Sequence, residues 1–163
     1  MHAEDIVSVV EGVCRGLQTL HAHGIVHRDL SPSNVLLAAP TGLVAVVADL
    51  GVSTRLTPSR PATHHAAGAV AFMAPEVRRF LLGAPVAYGR PADVWAVGAL
   101  IYAAAVGDAA PAALATESAE ALATEVGRRT RCPGLQAAAL AALHPAPSRR
   151  PSAAALGAML ARC

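Results

Sequence analysis

The sequence predicts a single, mainly α-helical domain that contains one short β-hairpin. Its 163 residues suffice for one hydrophobic core, and 54% of them are hydrophobic against 15% charged. Apolar residues three and four positions apart predict a helix over residues 3–23, and a nearly continuous apolar segment predicts a buried helix over 92–106. Two short apolar runs, 35–38 and 43–48, flank a Pro-Thr-Gly turn, which is the pattern of a hairpin.

The remaining elements are expected to be shorter. Gly24 is well placed to end the first helix, and Pro91 is a suitable first residue for the buried helix. The polar segment 54–68 is expected to be a loop, and the alanine-rich segment 109–115 to be loosely ordered. Further helices are predicted over 76–82, 116–128, 135–143 and 151–162.

Charge and cysteine content exclude several classes of protein. The net charge of +2 comes from 13 basic and 11 acidic residues without a basic block, which argues against nucleic acid or a membrane surface as a partner. The three cysteines, Cys14, Cys132 and Cys163, are odd in number and widely spaced, which predicts neither a disulfide framework nor a metal-ligand pair. A reducing compartment, the cytoplasm or nucleus, fits this usage.

No targeting segment is expected. The N-terminus has neither a basic n-region nor an apolar h-region, so no secretory signal is predicted. The longest apolar run, 94–107, is shorter than the roughly 20 residues that a membrane-spanning helix needs.

Five short motifs point to a chemistry when they are taken in order. Asp29 follows His27-Arg28 and lies five residues before Asn34; the other motifs are Asp49-Leu50-Gly51, Ala74-Pro75-Glu76, Asp93-Val94-Trp95 and Arg149-Arg150-Pro151. In this order and at these spacings the chain resembles the C-terminal lobe of a eukaryotic-type protein kinase, most closely a Ser/Thr kinase. The resemblance extends over almost the whole chain and implies a kinase-like lobe whose hairpin carries the catalytic and metal-binding loops.

The resemblance implies a role for each matched residue of the site. Asp29 would accept the proton of the substrate hydroxyl, with Asn34 as its catalytic neighbour. Asn34 and Asp49 would hold Mg²⁺ and thereby the phosphates of ATP. His27, Arg28 and Gly51 would be structural residues of the same loops.

Three further residues would be structural at a distance from the reacting groups. Glu76 and Arg150 are expected to form a buried ion pair, with nitrogen and oxygen within about 4 Å of each other. Asp93 is expected to accept hydrogen bonds from the backbone of the catalytic loop.

The chain also departs from the family pattern. It has no Gly-rich loop, no phosphate-pairing Lys on a strand and no Glu on a following helix, so the N-terminal lobe is expected to be absent. Ser31 stands where Ser/Thr kinases usually carry Lys, and Leu50 replaces Phe. Ala69 and Phe72 stand in place of the more usual Thr and Tyr.

The sequence therefore predicts a Ser/Thr kinase-like phosphotransferase, acting on a protein hydroxyl, with weak or no activity as the isolated chain. The alternatives are a non-catalytic docking or scaffold module and a fragment of a longer kinase. Expected partners are a protein substrate and a separate N-terminal lobe or activating protein.

The histidine pairs and the hydroxyl residues of segment 54–68 each have a functional and an ordinary structural interpretation. His21-x-His23 and His64-His65 are not completed by Cys or carboxylate ligands, so no zinc site is predicted. Four hydroxyl residues could be phosphorylated in the loop, although each alone reads as an ordinary solvated residue: Thr54, Thr57, Ser59 and Thr63.

Overall fold

The computed structural model describes residues 1–38, 43–57, 69–84 and 88–160. Within these ranges the chain forms a bundle of helices with two small two-stranded sheets at one edge. The mainly α-helical class predicted from the sequence is confirmed. The helices are α1 Ala3–Ala22, α2 Pro75–Leu81, α3 Arg90–Val106, α4 Ala110–Thr116, α5 Ala119–Thr130, α6 Pro133–Ala142 and α7 Ala153–Leu160.

The first helix forms as its apolar spacing predicts. Ile6, Val10, Val13 and Leu17 are fully or almost fully buried, and they face α3, α7 and the hairpin. Gly24 follows the helix with a φ of 73°, a left-handed conformation that glycine adopts at little cost. The chain therefore turns sharply here and enters the loop that carries Asp29.

The predicted hairpin is confirmed over its described residues. Strand β2 (Val35–Ala38) pairs antiparallel with β3 (Val44–Val47), with Val35 opposite Val47; the predicted turn lies outside the described residues. A second ladder was not predicted. Strand β1 (Ile25–Val26) pairs with β4 (Thr54–Arg55), so the expected loop over 54–68 begins with a short strand. Two residues are too few to show the alternation of apolar and polar residues that predicts a strand. Strands of this length are defined only by their pairing in the fold.

Helix α3 lies at the centre of the bundle. It packs against α1, α5 and α6, and ten of its residues are buried, including Trp95 and Tyr102. Pro91 lies in its first turn, as predicted. The central position explains why its sequence is apolar on nearly every face.

One helical stretch, Arg90–Thr116, is long and apolar enough by length and composition to cross a membrane. It includes α3, α4 and the 3₁₀ turn Gly107–Ala109, so it is longer than the apolar run seen in the sequence. The α3 part carries the buried Asp93 and packs among other helices of the bundle. We therefore interpret it as the core helix of this domain.

The segment expected to be loosely ordered forms a helix instead. Helix α4 spans Ala110–Thr116 and buries Ala110 and Leu114. Alanine favours the helix because it loses no side-chain entropy there, and Leu114 anchors the turn. Pro133 is the first residue of α6, so this helix begins two residues earlier than predicted. The last two residues of the helix predicted over 151–162 lie outside the described residues.

The cysteines only partly follow the sequence-based prediction. Cys14 is a free, buried thiol, and burial raises its pKa to about 12. Cys132, in contrast, is disulfide-bonded. The sequence predicted no disulfide framework and gave no signal for this one bonded cysteine, because separation along the chain does not determine separation in the fold.

Candidate active site

Asp93 fixes the backbone of the loop that carries Asp29. Its side chain is almost completely buried, and Oδ1 accepts a hydrogen bond from the Arg28 backbone N–H at 2.9 Å. Oδ2 accepts from the His27 backbone N–H at 2.9 Å and from His21 Nε2 at 2.8 Å. The predicted contact with the loop is confirmed, while His21 was missed. Its position on the buried face of α1 was the only available signal.

His27 connects the same loop to the end of the hairpin. Its ring is fully buried, Nε2 lies 2.9 Å from the Ala48 carbonyl, and Nδ1 lies 3.3 Å from the Asp29 backbone nitrogen. A carbonyl can only accept, so the hydrogen-bond network assigns the ring hydrogen to Nε2 and leaves Nδ1 to accept from Asp29. His27 therefore orients the backbone at Asp29, which agrees with the structural role expected for it.

The partly buried Asp29 carboxylate is held from two sides. Oδ2 accepts from Asn34 Nδ2 at 3.0 Å, and Oδ1 accepts from the Ala69 backbone N–H at 2.8 Å. Asn34 Nδ2 also donates to the Asp29 carbonyl at 2.7 Å. A carboxylate offers about four lone-pair positions, so these two donors leave Asp29 able to accept from a third group.

Asn34 presents an amide oxygen suited to a metal ion. It ends the 3₁₀ turn Pro32–Asn34, and its amide nitrogen makes both hydrogen bonds to Asp29. The oxygen Oδ1 has no hydrogen-bond partner among the described residues. Because Mg²⁺ prefers hard oxygen ligands, this residue fits the metal that the sequence implies.

Asp49 is brought beside Asn34 by the hairpin. The Ala48 backbone N–H donates to the Asn34 carbonyl at 2.9 Å, and Asp49 follows at once with an exposed side chain. Its Oδ1 accepts from the Gly51 N–H at 2.9 Å, and a Cβ at Gly51 would lie 3.0 Å from that oxygen. Gly51 thus allows a close turn that keeps one oxygen of Asp49 bonded. No hydrogen bond of the described residues involves the other oxygen, so Asp49 also fits a metal ligand.

Strained backbone conformations mark these loops. Among the described non-glycine residues, positive φ occurs at Arg28 (72°), Asp49 (60°) and Arg131 (55°). Arg131 lies at the C-terminal end of α5, where a left-handed residue is common. The other two lie in the site loops, and strain of this kind persists only where the surroundings impose it.

Arg28 spans the loops that follow the hairpin. Its Nε and Nη2 donate to the Val52 carbonyl, the former at 2.6 Å. Its charge and a hydrogen bond from its side chain partly oppose the rise that burial causes in the pKa of Tyr88. Arg28 therefore has structural partners in this conformation, in keeping with the role predicted for it.

The expected Glu76–Arg150 pair is confirmed. Arg150 donates in bidentate geometry, from Nη1 to Glu76 Oε1 at 2.7 Å and from Nη2 to Oε2 at 2.8 Å. It also donates to three backbone carbonyls, which together account for all five N–H groups of the guanidinium. The guanidinium lies 5.0 Å from the ring centre of Trp95. The pair locks the end of the Ala-Pro-Glu segment onto α3 and α6–α7.

The histidine pairs are used structurally where the structure describes them. His21 bonds to Asp93, and His23 Nδ1 lies 2.8 Å from the Thr19 carbonyl within its own helix. In the described part of the chain no three His, Cys, Asp or Glu residues cluster as metal ligands. His64-His65, Ser59 and Thr63 lie outside the described residues.

Comparison with known proteins agrees with this geometry. The model of the protein kinase domain family matches residues 1–156. The chain belongs to the protein kinase domain family. The lobe described above, with its buried Glu–Arg pair and its Asp29 loop anchored by Asp93, is therefore a kinase-like lobe.

Curated relatives of this kinase-like chain match over part of its length. A probable myosin light chain kinase of Dictyostelium discoideum is 35% identical over 94 residues, which are 58% of this chain and 30% of the relative. Mitogen-activated protein kinase kinase kinase 15 of Mus musculus is 39% identical over 89 residues, 55% of this chain and 6% of the relative. The serine/threonine-protein kinase PLK4 of Drosophila willistoni is 39% identical over 105 residues, 63% of this chain and 12% of the relative. The matched regions thus span less than a third of each relative's length.

Two of the departures from the kinase pattern, Ser31 and Ala69, lie close to Asp29 in sequence or in space. Ser31 is buried, and its hydroxyl lies 2.8 Å from the Ser33 hydroxyl, so a neutral pair occupies the place of the usual Lys. Ala69 contacts Asp29 through its backbone only. The loop therefore orients the carboxylate without a cationic side chain at position 31.

Proposed function

We propose that this kinase-like lobe serves ATP-dependent phosphoryl transfer to a protein serine or threonine hydroxyl. The observation that carries the proposal is the Asp29–Asn34 contact, anchored by Asp93 below and by the hairpin beside it. The Pro32-Ser33-Asn34 ending of the loop and the kinase relatives named above favour the Ser/Thr type. As the isolated chain, residues 1–163 would be a partial kinase domain with weak or no activity.

Asp29 would act as the base. The hydroxyl of the substrate would donate to a free lone pair of its carboxylate, which would accept the proton as the oxygen attacks the terminal phosphate. The hydrogen bonds from Asn34 and Ala69 hold that carboxylate in place, so little reorganisation is needed when the substrate arrives.

Asn34 and Asp49 would hold Mg²⁺ through the amide oxygen and the free carboxylate oxygen. Bound there, the metal would neutralise charge on the phosphates of ATP. The protein contributes the spacing: the Ala48–Asn34 backbone bond keeps the two residues next to each other. Both ligands are oxygen atoms, as Mg²⁺ requires.

No lysine of this chain can place a positive charge against the phosphates of ATP. The sequence contains no lysine at all, and Ser31 is neutral. A separate N-terminal lobe or activating protein is the source that we propose for the phosphate-pairing charge. We further propose a cytoplasmic or nuclear location, with no nucleic acid and no membrane as a partner.

Isothermal titration of the isolated chain with Mg-ATP tests the need for a partner. We expect weak or undetectable binding, because in kinases ATP lies between two lobes. Micromolar affinity of residues 1–163 would show that they bind nucleotide without a second lobe.

A chimera in which a kinase N-terminal lobe is fused ahead of Met1 tests the site residues. In it, Asp29→Asn should abolish phosphoryl transfer and leave nucleotide binding nearly intact, since the base acts on the hydroxyl. Asp49→Asn should weaken metal-dependent nucleotide binding, and Ser31→Lys should raise turnover if the missing charge limits the reaction. Equal transfer by Asp29→Asn and the parent chimera would exclude Asp29 as the base.

A second candidate function is a non-catalytic docking or scaffold module. It is favoured by the hairpin, where about half of the surface of each of four apolar side chains is exposed: Leu36, Leu37, Val44 and Val46. Exposed apolar residues grouped in this way are typical of surfaces that bind another protein. An active chimera that loses transfer with Asp29→Asn would favour the enzyme, whereas an inactive chimera that still binds nucleotide would favour the scaffold.

A further inference from the structure

The contact between Asp29 and Ala69 joins two parts of the site that are 40 residues apart in sequence. Asp29 is the candidate base, and Ala69 begins the segment that leads through the 3₁₀ turn Val70–Phe72 to Ala74-Pro75-Glu76. Residues 69–76 resemble the substrate-docking end of the activation segment of protein kinases, and we call them the docking segment. The bond thus connects the group that would accept the proton to the segment that would place the hydroxyl.

The docking segment is held at both ends. At its start the Ala69 N–H donates to Asp29, and the Ala69 carbonyl accepts from the Phe72 N–H at 2.9 Å. At its end the carbonyl of the buried Met73 accepts from Arg78 Nε at 3.0 Å. Arg78 Nη2 donates in turn to the Leu114 carbonyl at 3.2 Å. The C-terminal end of the docking segment is thus held by hydrogen bonds from the Arg78 guanidinium. Its N-terminal end is held by one backbone hydrogen bond to Asp29.

The amino acid at position 69 determines which atoms make this contact. Kinases usually carry Thr here, but an alanine side chain has no hydrogen-bonding atom. The bond is therefore made by the main chain and should persist with any residue at 69 that keeps an N–H. Proline is the exception, because it has no N–H.

We propose that Ala69 is a positioning residue: its backbone N–H sets the orientation of the Asp29 carboxylate and, through the same bond, ties the docking segment to the base. This inference rests on the proposed function for its use in catalysis, but the coupling itself exists without nucleotide. Asn34 reports on it, because its side-chain amide touches Asp29 from the other side.

The backbone at Ala69 makes a clean test possible. Its φ of −70° is close to the value that a proline ring imposes, so Ala69→Pro removes the donor without forcing a new φ at that residue. Ala69→Gly is the matched control, because it changes the residue and keeps the N–H. Nuclear magnetic resonance of the full chain without nucleotide then compares three signals: the Asp29 carboxyl carbon, the Asn34 side-chain amide and the backbone amide exchange of Phe72.

We expect Ala69→Pro to shift the Asp29 and Asn34 signals and to speed exchange at Phe72 by about ten-fold or more, as for loss of a hydrogen bond to a charged group. Ala69→Gly should leave the Asp29 and Asn34 signals at their parental positions. A loss of stability alone would not move Asn34, which lies in another loop. Unchanged Asp29 and Asn34 signals in a folded Ala69→Pro variant would overturn the proposal.

A reciprocal variant keeps the proposal testable if Ala69→Pro does not fold. Asp29→Ala removes the acceptor and should speed amide exchange at Ala69 itself by a similar factor, while the Arg78 end of the segment stays protected. Parental exchange at Ala69 in Asp29→Ala would refute the coupling. These measurements need no phosphoryl transfer, so failure of the coupling is distinguishable from failure of the kinase activity.

Discussion

Two regions of this lobe use carboxylates in opposite ways: the helical base, which holds Glu76 and Asp93, and the loop edge, which carries Asp29 and Asp49. In the base, Glu76 and Asp93 are only 2% and 1% exposed, and every oxygen of their carboxylates accepts a short hydrogen bond. At the edge, Asp29 is partly buried and Asp49 exposed, and both keep acceptor capacity unused by the described residues. The carboxylates of the helical base are fully hydrogen-bonded and stabilise the fold, whereas those at the edge keep lone pairs that can bind a metal or accept a proton.

The difference follows from the cost of burying charge. A buried carboxylate is tolerated only when paired or fully hydrogen-bonded, so it cannot also serve a ligand that comes and goes. An exposed carboxylate needs no such compensation. Substitutions should therefore affect stability in the base and chemistry at the edge.

The largest effect on stability is expected where the helical base of the lobe loses its buried ion pair. Arg150→Ala leaves Glu76 buried without its cation and should lower the free energy of unfolding by about 3–5 kcal/mol. Urea denaturation measures this, and Arg149→Ala is the control, since its neighbouring guanidinium is exposed. A similar small effect of both substitutions would show that the buried pair does not hold the base together.

A smaller loss is expected from Asp93→Asn. The amide keeps one oxygen, but its NH₂ would face a group that now donates to the carboxylate, from His21 or from the loop backbone. The unfolding free energy should fall by about 2–3 kcal/mol, as expected for an unsatisfied buried donor and a lost charge-assisted bond. His27 and Arg28 amide exchange should accelerate in the same variant; protected amides there would contradict the anchoring role.

The buried Cys14, on α1 in the helical base of the lobe, predicts that the free energy of unfolding depends on pH. Burial raises its thiol pKa from 9.0 to about 12, so above pH 9 the unfolded chain loses this proton and the folded chain keeps it. Its contribution to stability is complete below pH 9 and is lost as the pH rises towards 12. Urea midpoints between pH 8 and 10.5 should fall more steeply for the parent than for Cys14→Ala. Parallel slopes would rule this contribution out.

The smallest effect on stability is expected at the edge. Asp49→Asn keeps an oxygen for the Gly51 N–H, and asparagine tolerates the left-handed backbone found at this residue. The unfolding free energy should change by no more than about 0.5 kcal/mol. Because Asp49→Asn and Asp93→Asn are the same chemical change, their difference measures what burial contributes. An equal loss at both positions would remove the contrast between edge and base.

The sequence alone determined the features that depend on local pattern. The apolar spacing of α1, the apolar run of α3 and the two strands of the hairpin, 35–38 and 44–47, follow from periodicity and turn residues, which act over a few neighbours. The order of the motifs also indicated the kinase-like lobe and the partners of Glu76 and Asp93. These predictions needed no coordinates, because each motif carries a fixed place in a known fold.

Only the tertiary structure decided which distant groups meet. The bonds from His21 to Asp93 and from Ala69 to Asp29 join residues 72 and 40 positions apart, and the β1–β4 ladder pairs strands of two residues each. An alanine backbone N–H has no signature in sequence, since every residue except proline carries one. Such contacts arise from how the packed helices and hairpin place the loops, so they become visible only once the whole lobe is folded.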